Sequence, residues 1–208
     1  MSVPMNALVL DALVQRLRQV DANILKVTQD LGSEQLSRRL GPTAPPIGWH
    51  LWHIARWADC FQASFPERVR KSSQRLDVNR ELWHREGLAQ RWGLEPTKLG
   101  RFETGMGMEH AVAAQLPHSI GKRQLLDYAR RAFHASEQAL ENLAPSELES
   151  PRESMLQLES TGESTRPIIG KATTNAADAL YHINHANRHL GSIEALRGLF
   201  EMDGAENI

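Results

Sequence analysis

The 208-residue sequence contains a single cysteine, Cys60. One cysteine excludes an intramolecular disulfide framework and favours a reducing, cytoplasmic location. It also excludes a zinc site built mainly from thiolates, because such sites need several cysteine ligands. Any metal site in this chain must therefore use nitrogen and oxygen ligands.

The sequence also lacks a dominant charge of one sign and an uncharged apolar run of membrane-spanning length. The 24 Lys and Arg residues nearly balance the 25 Asp and Glu residues, so no basic field is present to hold nucleic acid. The N-terminal segment reaches Asp11 and Arg16 too early for a signal peptide. We therefore expect a cytoplasmic protein that acts on a small-molecule substrate and binds neither nucleic acid nor a membrane.

Strand-like alternation is scarce, whereas helical periodicity recurs along the chain. Apolar residues at three- and four-residue steps predict four long helices, over residues 5–31, 46–65, about 120–143 and about 174–202. The pattern further predicts that Gly32 ends the first helix in a left-handed cap and that Ser119 caps the third. Four long amphipathic helices are typical of an all-α four-helix bundle with crossover connections.

The remaining segments predict where this bundle is interrupted. Residues 67–118 are less periodic and predict a helical insertion between the second and third long helices, with a short helix over residues 79–92. Residues 145–170 are rich in Ser, Glu, Thr and Pro, which favours a surface loop. Residues 203–208 form a tail, and the whole chain, 1–208, is expected to be a single domain.

The nine histidines are the most informative feature of the composition. The fourth helix carries His182, His185 and His189 on one side. His185 and His189 are four residues apart, about 6 Å along the axis, so both imidazoles can reach one ion. His182 and His189 are seven apart, about 10.5 Å, which is too far for one ion. His185 therefore belongs to either pair, and spacing does not choose between His182 and His189.

A third ligand is available in the second helix, in the stretch IGWHLWHIARWAD over residues 47–59. His50 and His53 are the candidates, and helical periodicity places His50 nearer to the apolar stripe. Three imidazoles with one vacant position make an open, reactive zinc-like site, whereas four fill the coordination shell and make the site structural. The number of histidine ligands is therefore the functional question.

The ordered set of motifs resembles the DinB/YfiT-like superfamily, in particular its second DinB-like branch. That family carries a tryptophan followed four residues later by a histidine in its second helix, matched here by WHLWHIARWAD over residues 49–59. Its fourth helix carries His-x-x-x-His, matched by HANRHLGSI over residues 185–193, with Ser192 where glutamine is common. The segment over residues 82–107 is similar to an insertion found in members of this group.

The resemblance implies a DinB-like bundle fold and a metal site formed by His53, His185 and His189. It leaves His50 and His182 as neighbours, and whether either also binds the ion stays open. The ion would be a divalent metal such as zinc, nickel or iron.

The resemblance also implies a function, because relatives include transferases and isomerases that depend on low-molecular-weight thiols. It suggests a metal-dependent thiol S-transferase in which the ion holds a small thiol as thiolate for attack on an electrophilic small molecule. The alternatives are a hydrolase that uses metal-bound water and a non-catalytic, stress-related metal-binding or interaction bundle. The sequence does not decide whether the protein is an enzyme, and it allows a homodimer without requiring one.

The sequence also bears on a di-iron site and on a cofactor pocket. A di-iron carboxylate bundle is excluded, because it needs Glu-x-x-His pairs on two helices and the chain has only ELWH, residues 81–84, in the insertion. Four residues are candidates for a pocket that holds an anionic cofactor, although core packing and solvated helix faces explain them better: Trp49, Trp83, Arg91 and Arg188.

Overall fold

The computed structural model describes residues 4–65, 80–152 and 173–203. In these ranges the chain is mostly helical, which confirms the all-α fold class. The helices are α1 Met5–Gln29, α2 Ser33–Ser37, α3 Ile47–Ser64, α4 Leu82–Arg85, α5 Leu88–Arg91, α6 His110–Ile120, α7 Lys122–Glu141 and α8 Asn175–Leu199. Two short strands, β1 Pro151–Arg152 and β2 Thr173–Thr174, pair antiparallel.

The four long helices α1, α3, α7 and α8 form the bundle. Helix α1 packs against α7 and α8, and α3 packs against the same two helices, so α1 and α3 lie across the bundle from each other. Cross-helix contacts give the directions: Arg18 of α1 bonds Glu141 near the end of α7, whereas Arg197 near the end of α8 bonds the Val27 carbonyl late in α1. Along α3, His50 meets His189 and Phe61 meets His182, so α3 is antiparallel to α8. Helices α1 and α8 therefore run one way, and α3 and α7 run the other way.

Helix α3 is the central helix of the bundle. Leu51, Ile54 and Ala58 are completely buried, and most of its other side chains are buried as well. An unpaired polar group in the core costs about 1–3 kcal/mol, so most polar groups of a helix that is enclosed on nearly all sides should have partners. Within the described residues, the indole nitrogens of Trp52 and Trp57 are exceptions. The polar residues of α3 are therefore the ones whose partners identify a site.

Helices α3 and α7 are adjacent and run in the same direction. The insertion between them therefore leads the chain from the end of α3 back to the level at which α3 begins. Its described part contains α4, α5 and α6. The short helix predicted over residues 79–92 is two single turns, because Gly87 adopts a left-handed conformation with φ 60° between α4 and α5. A bidentate ion pair between Arg131 of α7 and Glu86 attaches this segment to the bundle.

Most predicted helix limits agree with the structure within a few residues, and two predicted caps are wrong. Gly32 has φ −73° and precedes α2, while α1 ends at Gln29 with Asp30 as its C-cap. Ser119 lies inside α6, and Gly121, with φ 80°, separates α6 from α7. Thr174 caps α8, because its side chain accepts a hydrogen bond from the Ala177 amide.

Parts of the predicted insertion, loop and tail lie outside the described residues, namely 66–79, 153–172 and 204–208. None of the described helices combines the length and the apolar character that a membrane span requires.

Candidate metal centre

Three histidines predicted as ligands, His53 of α3 and His185 and His189 of α8, converge at the seam between these helices. One ring nitrogen of each histidine lies within 4.8 Å of one ring nitrogen of each of the other two, and we call this group the histidine cluster. His185 Nε2 is 3.2 Å from His53 Nε2 and 3.1 Å from His189 Nε2. Ligands of a tetrahedral zinc with Zn–N bonds of 2.0–2.1 Å are about 3.3 Å apart. The two Nε2–Nε2 distances from His185 therefore match the spacing of ligands around a single small divalent ion.

The orientation of His53 is determined by a backbone carbonyl. His53 Nδ1 contacts the carbonyl oxygen of Thr104, in the insertion. A carbonyl oxygen can only accept, so Nδ1 carries the hydrogen and Nε2 presents a lone pair to the cluster. Metal-binding histidines commonly have this arrangement, in which the second nitrogen donates to a carbonyl or carboxylate.

Among the described residues, the ring of His185 has hydrogen-bond partners only at Nε2. Its Nδ1 is buried and has no hydrogen-bond partner within the described part of the chain. Its Nε2 faces the Nε2 atoms of both His53 and His189. One N–H can donate to only one of these two nitrogens. Three converging imidazole nitrogens cannot all be satisfied by each other, whereas one cation satisfies three lone pairs at once.

The electrostatic environment keeps these imidazoles neutral. Burial, reinforced by neighbouring imidazoles, lowers the pKa of His53 to about 3 and that of His185 to about 2. Burial and the nearby Arg188 guanidinium lower the pKa of His189 to about 4. Neutral imidazole is the form that binds a metal, so the cluster is ready for a cation at neutral pH.

The two neighbouring histidines do not join the group of three. His50 Nδ1 is 2.8 Å from His189 Nδ1, on the opposite side of the His189 ring from the nitrogen that faces His185. His182 stacks on Phe61, with ring centroids 4.6 Å apart and planes 5° apart. His50 can therefore orient His189 by a hydrogen bond, and His182 packs between α8 and α3.

Two tryptophans of α3 surround the cluster. Trp49 stacks on His53 with centroids 4.7 Å apart, and Trp57 meets His185 edge to face at 4.9 Å. Trp49 and His189 are only partly buried, so the cluster lies close to the surface on their side.

The other pocket candidates lie elsewhere. Trp83 is buried among Trp52, Trp92 and Tyr128, which confirms core packing for it. Arg91 and Arg188 are exposed.

A second buried polar group, which the sequence analysis missed, lies one turn further along α3. Arg56 is completely buried and donates to Asp59 at 3.2 Å, to Tyr128 at 3.1 Å and to Glu81 at 2.7 Å. We call these four residues the ionic cluster. The signal was available, because an arginine and an aspartate three residues apart inside a core helix are rare unless they are paired.

Taken together, fold and site define an all-α bundle with a candidate metal centre of three histidines between its second and fourth long helices. A family model described as the DinB superfamily matches residues 16–193, a range that includes all three histidines. The chain belongs to the DinB superfamily, which confirms the resemblance seen in the sequence motifs. No curated protein matches the chain.

Proposed function

We propose that the protein binds one divalent metal ion through His53, His185 and His189. The observation that carries this proposal is the convergence of three Nε2 atoms that cannot satisfy one another. Family membership supports it as well. Imidazole ligands suit zinc, nickel and iron.

The number of converging nitrogens favours an open site over a closed structural one. His50, the fourth candidate, contacts the far nitrogen of His189 and not the centre of the cluster. An ion held by three nitrogens keeps a position for an exogenous ligand, which is the arrangement of catalytic zinc sites. This supports an enzymatic role over a purely structural metal.

The chemistry that we propose is thiol S-transfer, with a thiol supplied from solution. The one cysteine of the chain, Cys60, is buried at 3% exposure, and burial raises the pKa of its thiol. A buried, protonated thiol is a poor nucleophile. The chain therefore offers no reactive thiol of its own, and a low-molecular-weight thiol would have to bind beside the ion.

The proposed reaction is a substitution at an electrophilic carbon of a small molecule. The ion would lower the pKa of the bound thiol, whose proton passes to solvent. The sulfur lone pair forms the new C–S bond while the leaving group departs with the electron pair of the broken bond. His53, His185 and His189 would hold the ion, and Trp49 and Trp57 supply apolar walls beside these histidines.

Metal content tests the ligand assignment. Protein purified without a polyhistidine tag should contain one equivalent of divalent metal, and His53→Ala and His185→Ala should each reduce it to a small fraction. His134→Ala is the matched control, because His134 is an exposed histidine of α7 outside the cluster. Stoichiometric metal that persists in both cluster variants would refute the assignment.

A cobalt-substituted protein tests the thiol part separately. Addition of a small thiol should produce a sulfur-to-cobalt charge-transfer band in the near ultraviolet that is absent from the His185→Ala variant. A metal-loaded protein that binds no thiol but hydrolyses activated esters would favour the hydrolase. Binding of neither thiol nor substrate would favour a non-catalytic metal protein.

A further inference from the structure

The loop over residues 99–107 brings a backbone carbonyl to the histidine cluster. The loop is closed by its own hydrogen bonds, from the Arg101 amide to the Met106 carbonyl at 2.9 Å and from the Gly105 amide to the Leu99 carbonyl at 2.8 Å. At its centre Thr104 is completely buried and its carbonyl oxygen accepts from His53. One atom of this loop therefore determines which nitrogen of His53 is presented to the ion.

The backbone on the N-terminal side of Thr104 is strained. Phe102 and Glu103 both have positive φ, 52° and 53°, which non-glycine residues rarely adopt. Such a conformation persists only where surrounding contacts impose it. The contacts that impose it come from Arg56, whose Nε donates to the Glu103 carbonyl at 2.9 Å and whose Nη2 donates to the Phe102 carbonyl at 3.3 Å.

Arg56 is itself held in place by the rest of the ionic cluster. Asp59 and Glu81 accept from its two terminal nitrogens, and its guanidinium lies 4.9 Å from the Trp83 ring centre. Burial alone would lower the pKa of Arg56, but the neighbouring groups, Tyr128 and Cys60 first and then Glu81 and Asp59, raise it overall, so the guanidinium stays charged. A planar fork with five N–H donors can bond two carboxylates and two carbonyls together, which a lysine ammonium cannot.

The approach of the loop to His53 is close enough to require a glycine. A Cβ on Gly105, which has φ 92°, would lie 3.1 Å from His53 Nδ1 and 2.9 Å from the Trp49 ring. Gly107 also has positive φ, 71°, but a Cβ there would meet nothing within 4 Å. The two glycines therefore share a positive φ, which is strained only when another residue replaces glycine, and they differ in whether a side chain would reach the site.

We propose that the 99–107 loop is part of the metal site and that Arg56 is the residue that positions it. Arg56 fixes the Phe102 and Glu103 carbonyls, and these place the next carbonyl, that of Thr104, to accept the Nδ1 hydrogen of His53. Arg56 contacts no ligand nitrogen, so it acts on the ion only through this carbonyl. The part of this proposal that concerns the metal ion rests on the proposed function. The part that concerns the hydrogen bond from His53 Nδ1 to the Thr104 carbonyl does not.

The first experiment follows His53 in metal-free protein labelled with ¹⁵N-histidine. Wild-type protein should show a slowly exchanging Nδ1 proton on His53, and Arg56→Lys should lose this signal while remaining folded. Arg131→Lys is the matched control, because Arg131 also attaches the insertion to α7 but bonds Glu86 and not the loop. Retention of the signal in Arg56→Lys, or its loss in both variants, would overturn the role of Arg56.

The second experiment measures the dissociation constant for Co²⁺ in the same variants. Arg56→Lys should weaken binding by about 10–100-fold, as expected when the partner of a metal-binding histidine is lost. Arg131→Lys should leave the constant unchanged. If wild-type protein binds no Co²⁺, the proposed function fails, and the His53 signal still decides whether Arg56 positions the loop.

Two glycine variants keep the test decisive if Arg56→Lys does not fold. Gly105→Ala should shift or abolish the His53 Nδ1 signal and weaken Co²⁺ binding, whereas Gly107→Ala should change neither. The paired variant Arg56→Gln/Glu81→Gln removes opposite charges together and should behave like Arg56→Lys. Normal His53 signals in both Gly105→Ala and this paired variant would refute the proposal.

Discussion

Helix α3 carries two buried polar clusters one turn apart, the histidine cluster at His53 and the ionic cluster at Arg56. In the ionic cluster donors and acceptors are matched: Asp59 alone accepts from Arg56, from Tyr128 and from the amides of Leu82 and Trp83. In the histidine cluster three nitrogens face each other with too few hydrogens to pair them. The first cluster is complete within the protein, whereas the second leaves lone pairs that the proposed cation would satisfy.

This difference shows how a structural cluster can be told from a site inside one helix. Burial alone does not separate them, because Arg56 and His53 are both buried. What separates them is whether the protein satisfies its own polar atoms. The four predictions below test this distinction, from the largest expected effect on stability to the smallest.

Breaking the ionic cluster should have the largest effect. Asp59→Ala removes the acceptor of two buried amides and leaves the Arg56 charge partly unpaired, which should lower the free energy of unfolding by about 3–5 kcal/mol. Urea unfolding followed by circular dichroism measures this loss. Asp127→Ala is the control, because Asp127 is an exposed acid of α7 and its ion pair should contribute about 1 kcal/mol or less. Equal losses in the two variants would contradict a special role for the cluster.

Acid should act on His182, the buried histidine that lies beside the histidine cluster without belonging to it. Burial lowers the pKa of His182 to about 4, so between pH 6.5 and 4 the unfolded chain binds a proton that the folded chain does not. Stability is therefore complete above pH 6.5 and falls as pH decreases, by up to about 1.4 kcal/mol per pH unit for each such group. In metal-free protein, His182→Leu should reduce this slope by the contribution of about one bound proton, which is up to about 1.4 kcal/mol per pH unit.

The difference between wild type and His182→Leu is the observable, because burial raises the pKa of Asp21 and this group responds to acid in the opposite direction. Unfolding at pH 7 and pH 5 measures both slopes. Identical slopes for the two proteins would show that His182 titrates normally in the folded state.

A smaller change in the ionic cluster should have a graded effect. Tyr128→Phe removes a hydroxyl that donates to Asp59 at 2.9 Å and accepts from Arg56 at 3.1 Å. We expect a loss of about 1–2 kcal/mol, since both partners keep other hydrogen bonds. A loss as large as that of Asp59→Ala would mean that the cluster tolerates no missing member.

The smallest effect on the free energy of unfolding is expected at His185 of the histidine cluster, in metal-free protein. His185→Leu replaces a buried ring whose Nδ1 has no partner in the described residues, so stability should change by less than about 1 kcal/mol or increase. The same variant should lose its metal. A stability loss comparable to that of Asp59→Ala, without metal present, would show that the histidine cluster is a structural network.

The sequence predicted the bundle from local spacing, whereas the set of three converging histidines came from the family resemblance. The limits predicted for α1 and α7, 5–31 and about 120–143, lie close to the observed Met5–Gln29 and Lys122–Glu141. His185 and His189 are one turn apart wherever a helix forms, and the family motif supplied His53. The assignment of these residues as metal ligands stays a prediction.

The contacts that orient His53 could not be predicted from local spacing. The acceptor for His53 is a backbone carbonyl, at Thr104, and every residue has one, so its role depends on the path of the loop. The cue that was available is Arg56, a charge that a core helix retains only with partners. The caps at Gly32 and Ser119 were predicted wrongly because the short helices α2 and α6 are next to the long helices α1 and α7 in the sequence. The composition of such a short helix resembles that of the end of a long helix, so the pattern did not separate them.

The central claim is that three imidazoles, and only three, bind one divalent ion and leave a position for an exogenous ligand. X-ray absorption spectroscopy of the zinc-loaded protein tests this most directly, since it counts imidazole shells and measures Zn–N distances. The account predicts three imidazole nitrogens at about 2.0–2.1 Å with a non-imidazole light atom completing the shell. Four imidazoles, with His50 joining the set, or fewer than three would contradict it.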